Sequence, residues 1–347
     1  MMKVLIALLI IIALAIPVSA TEITAPRVPP SGMDRMPADT DHFGEALWEL
    51  IVRSLKRMEP ELEEAANVTA SIFVSALLVT LLPIFAEKTR PAVSIAGSTI
   101  LATLMFRRTD SMIAYASEAV WEICEYGKLL CPVLTTALAA QGGITSSAAL
   151  YAGTNAFIAV MSMLVSRWIV PMVYIFLAFS VANSALGEAI LKKFADAVKF
   201  LLHWLLKTIL IVFTTYMSIT GAVSGTTDAA AMKATKVVFS TVVPVVGNIL
   251  SDASESVLVS IGVMKNAAGI YGILAVLAVF MGPFVKVGIQ YLLLKVSAVL
   301  CSLFADKSIT ALIEDFSAAM GILLAMVAAS CVLVLISTIC FMKGMGS

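Results

Sequence analysis

Charge is scarce in this chain: Asp, Glu, Lys and Arg make up 13% of 347 residues, against roughly a quarter in an ordinary soluble domain. With 23 basic and 23 acidic side chains the formal net charge is zero, so no basic surface invites nucleic acid. Histidine is scarcer still, with only His42 and His203. No HExxH, CxxC or His cluster offers ligands to a metal. A GxxxxGK[ST] phosphate loop and a GxSxG nucleophile elbow are also missing, which removes the familiar ATPases and serine hydrolases. Neither a catalytic residue nor a cofactor is expected. The five cysteines, Cys124, Cys131, Cys301, Cys331 and Cys340, are odd in number, and the last three sit in apolar runs, so they read as packing thiols rather than a disulfide framework.

What fills the chain instead is hydrocarbon. Hydrophobic residues are 60% of it and the mean hydropathy is +1.00, which predicts an all-α, polytopic membrane protein. The first twenty residues, MMKVLIALLIIIALAIPVSA, carry Lys3, an apolar run and small residues at Val18 and Ala20. The run is shorter than the ~20 residues a span needs, so 1–20 reads as a cleaved signal peptide rather than a retained span. Residues 21–66 form a Pro-rich, flexible extracytoplasmic lead followed by an amphipathic helix, in which Phe43, Leu47, Leu50, Ile51, Ser54 and Leu55 recur at helical spacing. That helix is expected on the membrane surface or on a partner.

Residues 67–347 form the membrane domain. About seven transmembrane helices are expected, at 67–86, 148–166, 168–187, 205–223, 267–285, 287–304 and 318–342. The pieces at 92–106 and 237–250 are too short or interrupted to cross with confidence and are expected as re-entrant or buried short helices. With the mature N-terminus outside the cytoplasm, the inner segments hold eleven Lys and Arg and the outer loops after the first span hold five, the sense of the positive-inside rule. Residues 224–266 then face outside. An amphipathic segment ending in a span at 43–86, 188–223 and 308–342 leaves an internal duplication open.

Polar residues inside spans are functional suspects, because lipid leaves them unsatisfied. Lys286 and Gln290 lie one helical turn apart after Gly282 and Pro283. Lys286 reads either as the turn between two spans or, with Gln290 and Lys295, as lining a pathway. Lys295 sits in mid-span with no acidic neighbour within one turn, so an interior partner stays open. Gly221 and Gly225 form a GxxxG, and Gly269 and Gly272 suit close helix packing. Glu118, Glu122 and Glu125 share one side of an amphipathic helix and read as a solvated face.

The stretch PVVGNILSDASESV, 244–257, stands out between apolar flanks. Pro244 and Gly247 bend the lead-in, Asp252 and Glu255 share one helix face, and Ser251 and Ser254 share an adjacent one, with Asn248 a turn earlier. Three readings stay open: a solvated turn, a docking or pore-mouth element, and an ion-coupling site. The run 233–272, with VPVVG at 243–247, DASE at 252–255 and KNAAG at 265–269, resembles the signature region of the stage III sporulation protein AE family. That resemblance implies a non-enzymatic subunit of a channel or secretion complex in the mother-cell membrane around the forespore. Its implied partners are other products of the same operon, including intermembrane ring components, and a forespore-membrane protein, besides membrane lipid. The alternative from another class is a secondary transporter or permease for a small solute or ion, with its site among the proline-containing spans.

Overall fold

The computed structural model describes residues 26–37, 43–85, 90–140, 144–223 and 267–344. The expected signal peptide and the short segment 237–250 lie outside these residues. The described chain is helical: α1 (Pro30–Met33), α2 (Phe43–Arg57), α3 (Glu59–Phe85), α4 (Arg90–Ala140), α5 (Ile144–Leu164), a π-helical turn (Val165–Ile169), α6 (Val170–Leu186), α7 (Ala189–Val223), α8 (Ala267–Cys301) and α9 (Lys307–Gly344). No strand occurs among the described residues.

Among the described residues, five stretches are long and apolar enough to cross a membrane: Glu59–Leu81, Ser147–Leu186, Ala189–Thr220, Gly269–Cys301 and Lys307–Met342. The seven expected spans map onto these five stretches, so the described residues do not confirm a count of seven. Two expected turns do not form. Residues 148–187 were expected as two spans meeting at Arg167, yet the helix passes through. Pro171 has no N–H to give the Arg167 carbonyl, and the chain absorbs this by widening to a π-turn, in which Val170 N–H bonds the Val165 carbonyl. Likewise 267–304, expected as two spans meeting at Lys286, is one helix to Cys301 with Pro283 inside it. One proline and one cation lack the run of polar or glycine residues that a reversal needs. A true reversal forms at Gly187, whose left-handed φ of 69° caps α6 while its N–H reaches the Asn183 carbonyl at 2.8 Å.

Residues 92–106, expected as a short re-entrant or buried helix, are the first part of the 51-residue α4, about 77 Å long at 1.5 Å per residue. Contacts fix the directions of the helices. Arg108 of α4 pairs with Glu64 of α3, and Gly97 lies against Val79, so α3 and α4 run antiparallel. Tyr174 of α6 bonds Asp110 of α4 at 2.7 Å and Gly127 faces Ile158 of α5, so α5–α6 turns back along α4. Tyr216 of α7 donates to the Ala149 carbonyl at 2.9 Å, while Phe194 stacks on Phe179. Lys286 of α8 meets Tyr115 and Gly272 meets Leu130; α9 then returns along α8. Among the described residues, six long helical stretches thus alternate up and down.

One consequence concerns 224–266. The expected orientation needed 92–106 not to cross and 148–187 to cross twice. The second premise changes, since 148–187 forms one continuous helical stretch, whereas α4 is not among the stretches long and apolar enough to cross. The end of α7 and the start of α8 both emerge at the end of the bundle where the N-terminal lead packs, as the Tyr216–Ala149, Gly272–Leu130 and Tyr126–Pro26 contacts require.

The centre is α8 and α9, whose most apolar windows are 67% and 78% buried, against 22–33% for the other three candidate spans. Their apolar side chains therefore face protein, while those of α3, α5–α6 and α7 face outward, where lipid would cover them. The expected close approach is present at the glycines of α8: a Cβ on Gly272 would fall 2.9 Å from Leu130, and Gly269 lies against Met342. The Gly221–Gly225 pair lies partly outside the described residues.

Candidate functional site

Of the predicted site residues, Pro244, Gly247, Asn248, Ser251, Asp252, Ser254 and Glu255 lie outside the described residues. The other three are placed. Lys286 and Gln290 fall 40° apart around α8, whereas Lys295 falls 180° from Lys286 at 100° per residue. Lys295 is exposed and makes no ion pair among the described residues, so it has no interior partner. It stands six residues, about 9 Å, before the end of α8 at Cys301.

Lys286 is neither at a turn nor solvated. Its Nζ lies 2.7 Å from Glu61 Oε1 and 2.6 Å from Oε2, and 5.1 Å above the Tyr115 ring. The side chains of Lys286 and Glu61 keep only 21% and 31% of their exposure, so the pair is largely desolvated. Glu61 starts α3, and Glu64 one turn later takes Arg108, which pins the foot of α3 to α8 and α4 together. Gln290 is 1% exposed and its Oε1 has no donor, leaving an open acceptor one turn below the ion pair.

The lead closes this cluster from above. Residues 26–37, expected to be flexible, are packed: Val28 is buried, Gly32 lies so close to Val279 that a Cβ would meet its backbone nitrogen at 2.9 Å, and the Arg35 guanidinium rests on Gly282. Gly282 precedes Pro283, which leaves the Val279 carbonyl without its helical donor, so the lead sits where α8 is interrupted. Ser31 donates to Glu122, Tyr126 donates to the Pro26 carbonyl at 3.4 Å, Arg53 of α2 holds the Met36 carbonyl at 3.0 Å, and Arg57 pairs with Asp34 at 2.7 Å. The apolar face of α2, expected on a membrane or partner, is covered by α8 and α3 of the same chain; Phe43, Ala46, Leu50 and Ser54 are buried, and Leu55 and Trp48 stay exposed.

Burial pushes the Tyr115 hydroxyl above its usual range; Arg35 opposes the shift, and Glu61, Glu122 and Glu118 add to it. Tyr115 therefore stays neutral and presents a ring face to Lys286. The three glutamates expected as one solvated face divide: Glu122 takes Ser31, Glu125 takes Lys128 at 2.6 Å, and Glu118 has neither a hydrogen bond nor an ion pair among the described residues.

Asp315 escaped the sequence reading. It lies in α9, 7% exposed, facing Ser180 of α6 and, from α7, Lys192, Lys199 and Asp196. The signal that could have found it is an acid eight residues into a long apolar helix, next to Glu314.

Comparison with known proteins fixes the family. The model of stage III sporulation protein AE matches residues 38–346. This chain belongs to the stage III sporulation protein AE family. A relative so named from Bacillus subtilis (strain 168) is 23% identical over 188 residues, covering 54% of this chain and 47% of that protein. The match thus spans about half the length of that relative. No solved structure matches. Within the family match lie all six long helices, the cluster from Glu61 to Lys286, and the predicted stretch at 244–257, whereas the lead helix α1 precedes it.

Proposed function

We propose that this sporulation protein is a non-enzymatic, multi-pass subunit of the channel or secretion complex that joins mother cell and forespore. It resides in the mother-cell membrane around the forespore, loses residues 1–20 as a signal peptide, and holds its mature N-terminus outside the cytoplasm. The observation that carries the reading is positional. The packed lead, the end of α7 and the start of α8 lie at one end of the bundle, and the reading puts Asp252 and Glu255, which belong to the segment between those two helices, on that same face. That face would meet intermembrane ring components and a forespore-membrane partner encoded in the same operon, and the acids would give them an electrostatic register. Reversing both charges, Asp252→Lys with Glu255→Lys, should lower recovery of partners with the tagged protein and lower heat-resistant spore counts. Unchanged recovery and spore counts would remove the docking role.

A second reading, a secondary transporter, is favoured by Asp315, since a buried intramembrane acid is the usual mark of a coupling site. Its test is substrate-dependent uptake by the purified protein alone in vesicles, lost in Asp315→Asn. Uptake only in the presence of the partner proteins would favour the subunit reading.

A further inference from the structure

Glu118 lines a cleft of about 420 Å³ between α4 and the α5–α6 helix, within the ~300–1,000 Å³ of small-molecule pockets. The other wall is the π-turn, which contributes Val165 and Ser166, followed by Val170 and Tyr174. Single π-turns inside α-helices gather at functional sites, and this one widens the helix where the cleft lies. Trp121, 56% exposed, also lines it. The hydroxyls of the far wall are engaged: Tyr174 donates to Asp110 at 2.7 Å and Ser166 to the Ser162 carbonyl at 2.9 Å. The Glu118 carboxylate is the one charged group on the lining, and Arg167, on the same turn, lies off it.

We infer that this cleft binds a monovalent ammonium group with an apolar body. An exposed carboxylate with no hydrogen bond or ion pair among the described residues attracts a cation and repels phosphates and carboxylates, and an exposed indole face adds a cation–π contact. Aliphatic walls suit alkyl substituents on nitrogen better than a hydrated metal ion, for which the lining has a single carboxylate. Asp110, held by Tyr174, adds negative potential at the same wall. Two natural sources share this chemistry: a soluble organic amine and a lipid headgroup.

The test uses the full chain in phosphatidylglycerol nanodiscs, titrated calorimetrically with choline and with 3,3-dimethylbutanol, which has the same shape without the charge. Choline should bind at least about tenfold more tightly than the neutral alcohol. Glu118→Gln should weaken choline about tenfold and Trp121→Leu about fivefold, while Glu118→Asp, which keeps the charge, should hold affinity within about threefold and shows that the cleft survives substitution. Adding phosphatidylethanolamine to the disc weakens choline if the headgroup is the occupant and leaves it unchanged if the occupant is soluble. Equal binding of choline and the alcohol, full affinity in Glu118→Gln, or no saturable heat below about 10 mM choline would overturn the assignment.

Discussion

Replacing Lys286 by methionine removes the cation that Glu61 and Tyr115 share, and the structure sets the cost. Exposed ion pairs contribute about 0.2–1 kcal/mol, whereas removing one partner of a buried pair costs about 3–5 kcal/mol. With side-chain exposures of 21% and 31%, this pair falls between, at about 2 kcal/mol, and loss of the contact with the Tyr115 ring adds about 0.5–1 kcal/mol. Glu61→Gln alone should cost about 1–2 kcal/mol, because it leaves Lys286 partly desolvated without its counter-charge. The double variant, which strands neither charge, should cost clearly less than the sum of the two, with a coupling of about 1–2 kcal/mol. Thermal unfolding in one detergent reads this as midpoint falls of several degrees for the single variants, since about 1 kcal/mol is worth roughly 2–4 °C in chains of 150–250 residues. The swapped pair Glu61→Lys with Lys286→Glu should recover part of the loss. Additive single effects, or a swap no better than either single variant, would refute a desolvated pair and return Lys286 to the role of an ordinary interfacial lysine.

Other outcomes follow from neighbouring contacts. Gly282→Val should release the lead, because even its Cβ would stand 2.6–2.8 Å from the Arg35 guanidinium; faster protease cleavage between residues 26 and 37 reads it, and Gly282→Ala should be milder since the guanidinium is the end of a flexible side chain. Burial pushes Cys124 and Cys131 up to about 12, so at pH 8 only about one in 10⁴ is thiolate; both should resist maleimide in the folded protein and react after denaturation. Single cysteines at Ser254 and at Val28→Cys should be labelled by an impermeant reagent from the same side of the membrane when Val28 is freed by Gly282→Val. Labelling from opposite sides would break the positional basis of the docking face.

The all-α membrane class was legible in composition, because nothing but helices or closed barrels satisfies so much backbone in lipid. Helix ends were less so. Arg167 and Lys286 each interrupt an apolar run, and the sequence alone does not distinguish a cation at a loop from a cation that pairs inside a bundle. Glu61, the residue that decides the matter for Lys286, stands 225 positions away, beyond any local pattern. Pro171 and Pro283 do not end their helices either, because a proline in a long helix is absorbed by a π-turn or by a packed neighbour. The lead misled for a related reason: Pro26, Pro29 and Pro30 suggest mobility, but Tyr126, Glu122, Arg53 and Arg57 that hold it come from other helices. Phe43, Leu50 and Ser54, by contrast, were found by spacing because helical periodicity is local.

The placement of polar groups bears on the choice between subunit and transporter. A transporter gathers its coupling residues at one site near mid-depth, at a repeat interface. Here Lys286 with Glu61 lies between α8 and α3, Glu118 opens between α4 and the π-turn, and Asp315 faces α6 and α7, so three polar centres occupy three separate helix junctions. Gln290, the expected companion of Lys286, is buried beside the first of them only. The Lys286 centre is covered by the lead, which reaches back from the end of the bundle where α7 ends and α8 begins. A partner that draws the lead away would uncover Gly282, Pro283 and the ion pair together, coupling docking at that end to the turn where Pro283 withholds a helical hydrogen bond. That coupling suits an assembly subunit, and Asp315 alone remains to argue for transport.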